Sequence, residues 1–223
     1  MTSTGYGTPY GSEPRHPGWP ARLGPVTVPG GVVRVRPVRL RDGTEWSRIR
    51  VRDREYLRPW EPTQEQPWEE RNAPWMWPSQ WSALRRLARR GQCLPFAITV
   101  DGRFAGQITV GNIIRASLRS AWVGYWVAST LAGSGVATAA VALVTDHAFG
   151  AARLHRLEAT VRPENLASVR VLTKVGYRRE GLLRRYLDVE GDWRDHLCFA
   201  ITTEESGDGL VTRLVDSGRA MWS

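Results

Sequence analysis

Gly133 and Gly135, separated by Ser134 and followed by an Ala/Val/Leu-rich run, are the residues whose spacing most directly suggests chemistry. A β-prone run, Val123–Val127, leads through a small-residue turn, Ala128–Ser134, into that segment, which stops at Gly150, a C′ glycine. Strand, glycine turn and helix start bring unpaired backbone N–H groups and the positive end of a helix dipole to one point. A phosphate or another anion is held at such a point. Lacking Cβ atoms, the two glycines let a ligand approach the main chain closely. The plainer reading is a buried helix preceded by a flexible turn. Two other nucleotide loops fit less well. A P-loop needs GxxxxGK[ST], and no lysine lies nearby. A dinucleotide G-x-G-x-x-G is half met, ending in Thr138, and Glu158 follows about 20 residues on but inside LEATV, away from a strand end.

Composition narrows the class. With 223 residues, 42% of them hydrophobic, the chain can bury one core and still carry tails. No run approaches ~18 consecutive apolar residues, and the N-terminus has no basic-then-apolar leader, so a membrane partner is not expected and a cytoplasmic location is. Cys93 and Cys198 form neither a CxxC pair nor a disulfide framework. His147, His155 and His196 are scattered, which suggests no metal. The net charge of +9 raises nucleic acid or an RNA-rich partner such as the ribosome, but Lys174 is the only lysine. Arginine replacing lysine throughout reads as coding bias on a solvated surface, so direct nucleic-acid binding is not expected.

The elements around the turn follow from periodicity. Residues 1–30, rich in Gly, Pro, Ser, Thr and Tyr, read as a disordered or loosely packed tail. Val32–Val38 alternates as a first strand. Asp42 or Thr44 could cap a helix running through Arg54, with Trp46, Ile49 and Val51 as its apolar positions. The stretch Arg54–Pro62 is an irregular connection whose aromatics and carboxylates (Glu55, Trp60, Glu61) suit the mouth of a site for a cationic amine, or simply pack as a loop. Trp81–Arg90 is an amphipathic helix stopped by Gly91. Strands Leu94–Val100 and Phe104–Val110 flank an Asp101-Gly102 turn. Past the long helix come strand Arg156–Val161, a helix over 163–177 with Leu166, Val169, Leu172 and Val175 on one face, and two strands, Leu182–Leu187 and His196–Thr202. Residues 206–223 read as a C-terminal tail with room for a short helix.

This β-α-α-β-β-β-α-β-α-β-β order, with a glycine turn after the fourth strand, resembles the GNAT acetyltransferases. The family's pyrophosphate loop, Q/R-x-x-G-x-G/A, matches Ala132-Gly133-Ser134-Gly135-Val136-Ala137 except at Ala132, where a side chain that often borders the phosphates is missing. The second match is Asn165, Ser168, Lys174, Gly176, Tyr177, Glu180 and Gly181, in the order of the family's Asn-x-x-Ser helix and the segment after it. Within the family, Gly124-Tyr125-Trp126 and the Leu-Arg-Arg-Tyr…Gly-Asp-Trp-Arg-Asp ending look like the Rim-type ribosomal-protein-alanine N-acetyltransferases. The resemblance covers residues 31–205. It implies an α/β GNAT fold: a mixed sheet of about seven strands, splayed between the fourth and fifth, with flanking helices.

The resemblance also implies acetyl-CoA as donor. Its pyrophosphate would lie on Gly133–Thr138, including the amides of Ser134, Val136 and Ala137. Its pantetheine would run against Trp126-Val127 like an added strand. The Val127 N–H would stabilise the oxyanion. The tyrosine that many relatives use for the departing sulfur falls at Thr173; Ser168 matches the Rim-type serine and would protonate the sulfur, or else only packs or hydrogen-bonds its helix. Glu158 is the candidate base, acting directly or through water, with Glu61 second; the usual Rim-type carboxylate position is Arg185. An α-amine with a pKa near 8 needs only a modest base. Asn165 would orient the pantetheine or the splay, and Lys174 would reach the phosphates or favour its helix dipole. Tyr125, with Glu55, Trp60 and Glu61, would face the acceptor. That acceptor is expected to be a protein N-terminus, plausibly ribosomal; the alternatives are a polyamine or aminoglycoside, or an acyl-CoA-binding, ribosome-associated protein without catalysis. The assembly is expected to be a monomer or homodimer.

Overall fold

The computed structural model describes residues 16–223. Alternation builds most of the sheet: in β2 (Gly31–Pro37) Val33 and Val35 point inward and Arg34 outward. β3 (Cys93–Val100) is buried along its whole length, as a strand covered on both faces must be. With β4 (Arg103–Ile114), β5 (Ser120–Val127), β6 (Arg156–Val161), β7 (Arg178–Val189) and β8 (Asp192–Thr202), these make up the expected seven strands. The sheet has two more, β1 (Leu23–Val28) and β9 (Met221–Trp222), and its order is β7-β8-β6-β5-β4-β3-β2-β1-β9. Both added strands come from segments expected to lie outside the domain. β1 escapes a composition reading because its six residues, LGPVTV, sit among Gly and Pro; β9 is only two residues long. Trp19 also packs inward, 5.4 Å from the Phe96 ring. Residues 1–15 of the proposed tail lie outside the described residues.

Helices cover both faces. On one side α5 (Val136–Phe149) lies against the sheet beneath α6 (Leu166–Val175) and α8 (Leu210–Asp216), so ten of its residues are buried. On the other, α1 (Gly43–Arg52) and α4 (Trp77–Arg89) pack Trp46, Ile49 and Trp77 over Ala97 and Phe104. Short helices α2 (Arg54–Leu57), α3 (Trp68–Arg71) and α7 (Thr203–Ser206) complete the chain. α4 begins four residues earlier than expected, because Pro78 is tolerated in a first helical turn. Asp42 does sit at the start of α1, but its carboxylate accepts from Arg36 Nη1 and Nη2 (2.8 and 2.7 Å) and Arg39 N (2.8 Å) instead of capping the helix. Val51 is exposed: five residues from Trp46 it falls off the inward face, and Arg50, at i+4, takes that place. Among the described residues no helix is long and apolar enough to cross a membrane.

Candidate active site

The site begins where the sheet opens. β5 and β6, the only parallel pair among the described residues, are joined solely through Ser120–Trp122 against Arg156–Glu158; beyond that the two strands diverge. On its other edge β5 stays paired with β4 down to Val127 opposite Gly106, and Ala128 N donates to Ala105 O at 2.8 Å. Amide direction alternates along a strand. The Trp126 and Ala128 N–H groups therefore face β4, while those of Tyr125 and Val127 face the divergence, where no strand meets them.

A cavity of about 1140 Å³ occupies this opening. One end is the glycine turn. Gly133 and Gly135 have φ of 76° and 87°, left-handed values that L side chains rarely adopt, so the turn requires these residues. Gly30 N, in the β1–β2 hairpin, donates to Ser134 O (3.0 Å), and Ser134 Oγ donates to Leu131 O (2.6 Å). Gly135 then starts α5, leaving the amides of Val136, Ala137 and Thr138 without helical acceptors. Val136 is fully buried and absent from the cavity lining, so the structure does not bring this expected ligand-binding residue to the cavity. Ala132, Gly133, Ser134, Gly135, Ala137 and Thr138 all line the cavity.

α6 supplies the opposite wall. Asn165 Oδ1 accepts from Ser168 N (3.0 Å), so the carboxamide oxygen expected to orient a ligand serves as the helix cap. Ser168 Oγ lies 2.8 Å from the Tyr125 hydroxyl, which reaches it from β5. Burial pushes the Tyr125 hydroxyl well above the usual phenol range, keeping its proton in place. Thr173 Oγ1 is turned back to Val169 O (2.9 Å). Lys174 also lines the cavity.

The structure separates the acidic candidates. Glu158 is absent from the cavity lining; its carboxylate folds along its own strand onto Arg156 Nε (2.7 Å). Arg156 also holds Glu180, so Glu158 belongs to a surface ion-pair network and is poorly placed as the base. Glu61 does line the cavity, gripped by Arg50 Nη2 (2.5 Å) and Arg71 Nη2 (3.2 Å). Glu55 lines the mouth beside Arg54 (3.5 Å), and Trp60 stacks under Arg162 (5.5 Å).

Two residues at the site were not foreseen. Arg50 is buried, with its guanidinium 5.4, 5.0 and 5.4 Å from the rings of Trp46, Trp68 and Trp126, and it also bonds Asn72. In the sequence it reads as one more surface arginine of RIRVR; only its i+4 spacing from Trp46 was a signal. Asp53, buried beneath the turn after β5, accepts from Ser129 N and Oγ (both 2.7 Å). Burial pushes its carboxyl up, but Arg52 and the Ser129 donors more than offset this and hold it below its ordinary range. Its contribution to stability is thus present above the unfolded carboxylate pKa and is lost as pH falls through the lowered folded value. Asp53→Ala should release the turn that precedes Gly133 and weaken coenzyme A binding about tenfold by calorimetry; unchanged affinity would show that the turn holds its shape unaided.

A strand edge freed beside a glycine turn at a helix start is the arrangement that the GNAT resemblance implies, with room for an extended chain and an anion. The chain belongs to the GNAT family: residues 33–178 match the Acetyltransferase (GNAT) domain. Over 101 residues it is 44% identical to the probable N-acetyltransferase YjcK of Bacillus subtilis, covering 45% of this chain and 56% of that protein, so the match spans little more than half of that relative. Over 173 residues it is 26% identical to the [ribosomal protein uS5]-alanine N-acetyltransferase of Escherichia coli, covering 77% of this chain and 88% of the relative. Among solved structures, Mycobacterium smegmatis RimJ in complex with CoA-disulfide is 57% identical, with a TM-score of 0.92 over 93% of this chain and all of the other (100%).

Proposed function

We propose that this protein moves an acetyl group from acetyl-CoA to the N-terminal α-amine of a protein, a ribosomal protein foremost. The observation that carries this reading is the unpaired edge of β5 running to the glycine turn inside one cavity. A pantetheine chain of amides can pair with the Tyr125 and Val127 edge, and a diphosphate can take the amides of Gly133–Thr138. The likeness to the uS5-alanine enzyme supports a protein acceptor, and the likeness to RimJ bound to CoA-disulfide supports the coenzyme. Acetyl-CoA supplies the activated acyl carbon. The amine nitrogen forms a bond to that carbon as the carbon–sulfur bond breaks. The Val127 N–H is placed for the oxygen that gathers charge. Ser168 Oγ–H passes its proton to the departing sulfur and is replenished from Tyr125 and solvent. The proton lost by the amine goes to water, since an α-amine of pKa near 8 leaves enough free base at neutral pH.

The test is coenzyme A release with an alanine-starting ribosomal peptide, beside spermidine and an aminoglycoside. Turnover of the peptide alone is expected. Turnover of only the small amines would move the acceptor assignment, and binding without turnover of any would remove the catalytic reading. Ser168→Ala should lower kcat about tenfold, because a thiolate leaves readily even unaided, with little change in KM for acetyl-CoA. Tyr125→Phe should fall in the same direction by less. An unaltered kcat in Ser168→Ala takes the hydroxyl out of the mechanism.

A further inference from the structure

We propose that Arg219, carried to the cavity by the C-terminal strand, binds the ribose 3′-phosphate of coenzyme A together with Arg170 and Lys174. This rests on the acetyl-CoA reading above and names how the far end of that ligand is recognised. Coenzyme A bears three phosphates, and the glycine turn with its helix start accounts for the diphosphate only.

The placement of Arg219 follows from pairing. β9 runs antiparallel to β1 with Val26 opposite Trp222 and Thr27 opposite Met221. Continuing that register sets Arg219 opposite Pro29, next to Gly30, whose amide is bonded to Ser134 of the glycine turn. Val28 Cβ also lies 3.2 Å from where a Cβ on Gly135 would be. The backbone at Arg219 is held on both sides. Arg219 N donates to Leu214 O and Gly218 N to Val215 O, each at 2.9 Å, and Ala220 is buried. The side chain itself is exposed and lines the cavity.

The cavity's other cations divide into two sets. Arg50 and Arg71 are committed to Glu61. Arg170 and Lys174, one turn apart on α6, line the cavity and have no ion pair among the described residues, as is true of Arg219. Three cations without ion pairs among the described residues, lining the same cavity as the anion cradle, suit a dianionic phosphate, with arginine providing a planar fork for it.

Titration calorimetry with coenzyme A and 3′-dephospho-coenzyme A tests this on the full chain. The intact protein should bind coenzyme A about tenfold more tightly than the dephospho form. Arg219→Ala should lose most of that preference, Arg219→Lys should keep part of it, and Arg103→Ala, an equal loss of charge away from the cavity, should keep all of it. Equal binding of both ligands by the intact protein, or a preference undiminished in Arg219→Ala, overturns the assignment while leaving acetyl transfer standing. If neither ligand binds, the acetyl-CoA reading falls and this assignment with it. Thermal unfolding of each variant separates lost recognition from lost structure.

Discussion

Gly135→Arg is expected to abolish coenzyme A binding, by at least about a hundredfold in calorimetry. At φ of +87° an L residue costs roughly 1–2 kcal/mol, and its Cβ would press within 3.2 Å of Val28 Cβ. The turn would relieve both by rotating, and the amides of Gly135 through Thr138 would then no longer converge on one anion. The absent Cβ of Gly135 faces β1, so the damage is conformational, more than a plug in the ligand's path. Gly133, at φ +76° with nothing within 4 Å of its missing Cβ, would suffer only the backbone strain, and Gly133→Ala should lose much less affinity. The fold should survive in both, with melting temperatures lowered by roughly 2–8 °C. Undiminished binding in Gly135→Arg would dislodge the phosphates from this turn.

Arg50→Ala should be the most destabilising substitution at the site, by about 3 kcal/mol, read from denaturant unfolding. Removing the guanidinium empties a cage formed by Trp46, Trp68 and Trp126 and leaves Asn72 Oδ1 without its donor. Glu61 keeps Arg71 (3.2 Å), which limits the loss. Arg50→Lys restores charge but neither the flat stacking surface nor the two hydrogen bonds from Nη2 to the Glu61 carboxylate (2.5 and 2.7 Å), so it should recover less than half. A cost below about 1 kcal/mol for Arg50→Ala would mean that the cage closes over the gap.

The contrast between these residues explains how far the sequence could be read. The glycine turn and α5 were legible because their signals are local: two glycines, a strand before, an apolar run after. α6 was legible for the same reason, its apolar residues recurring at helical spacing up to Gly176. Arg50 was not, because its burial depends on three tryptophans that only folding brings together. β9 depends on β1 across nearly two hundred residues, and β1, although it forms a hairpin with β2, has too little alternation of its own to be read. Glu158 illustrates the opposite error: its strand and its face were readable, but a carboxylate two residues from an arginine on the same face pairs with it before it can serve a ligand.

The three carboxylates that line the cavity share one condition. Glu61 is divided between two guanidinium groups, Glu55 stands beside Arg54 at 3.5 Å, and Glu164 meets Arg162 at 3.2 Å. A polycation entering this space would find the most enclosed carboxylate, Glu61, already taken, and only exposed, weakly held ones at Glu55 and Glu164. On the function proposed above, selection among acceptors rests mainly on contour and on peptide groups following the first residue, which a threaded chain end can offer and a spermidine cannot.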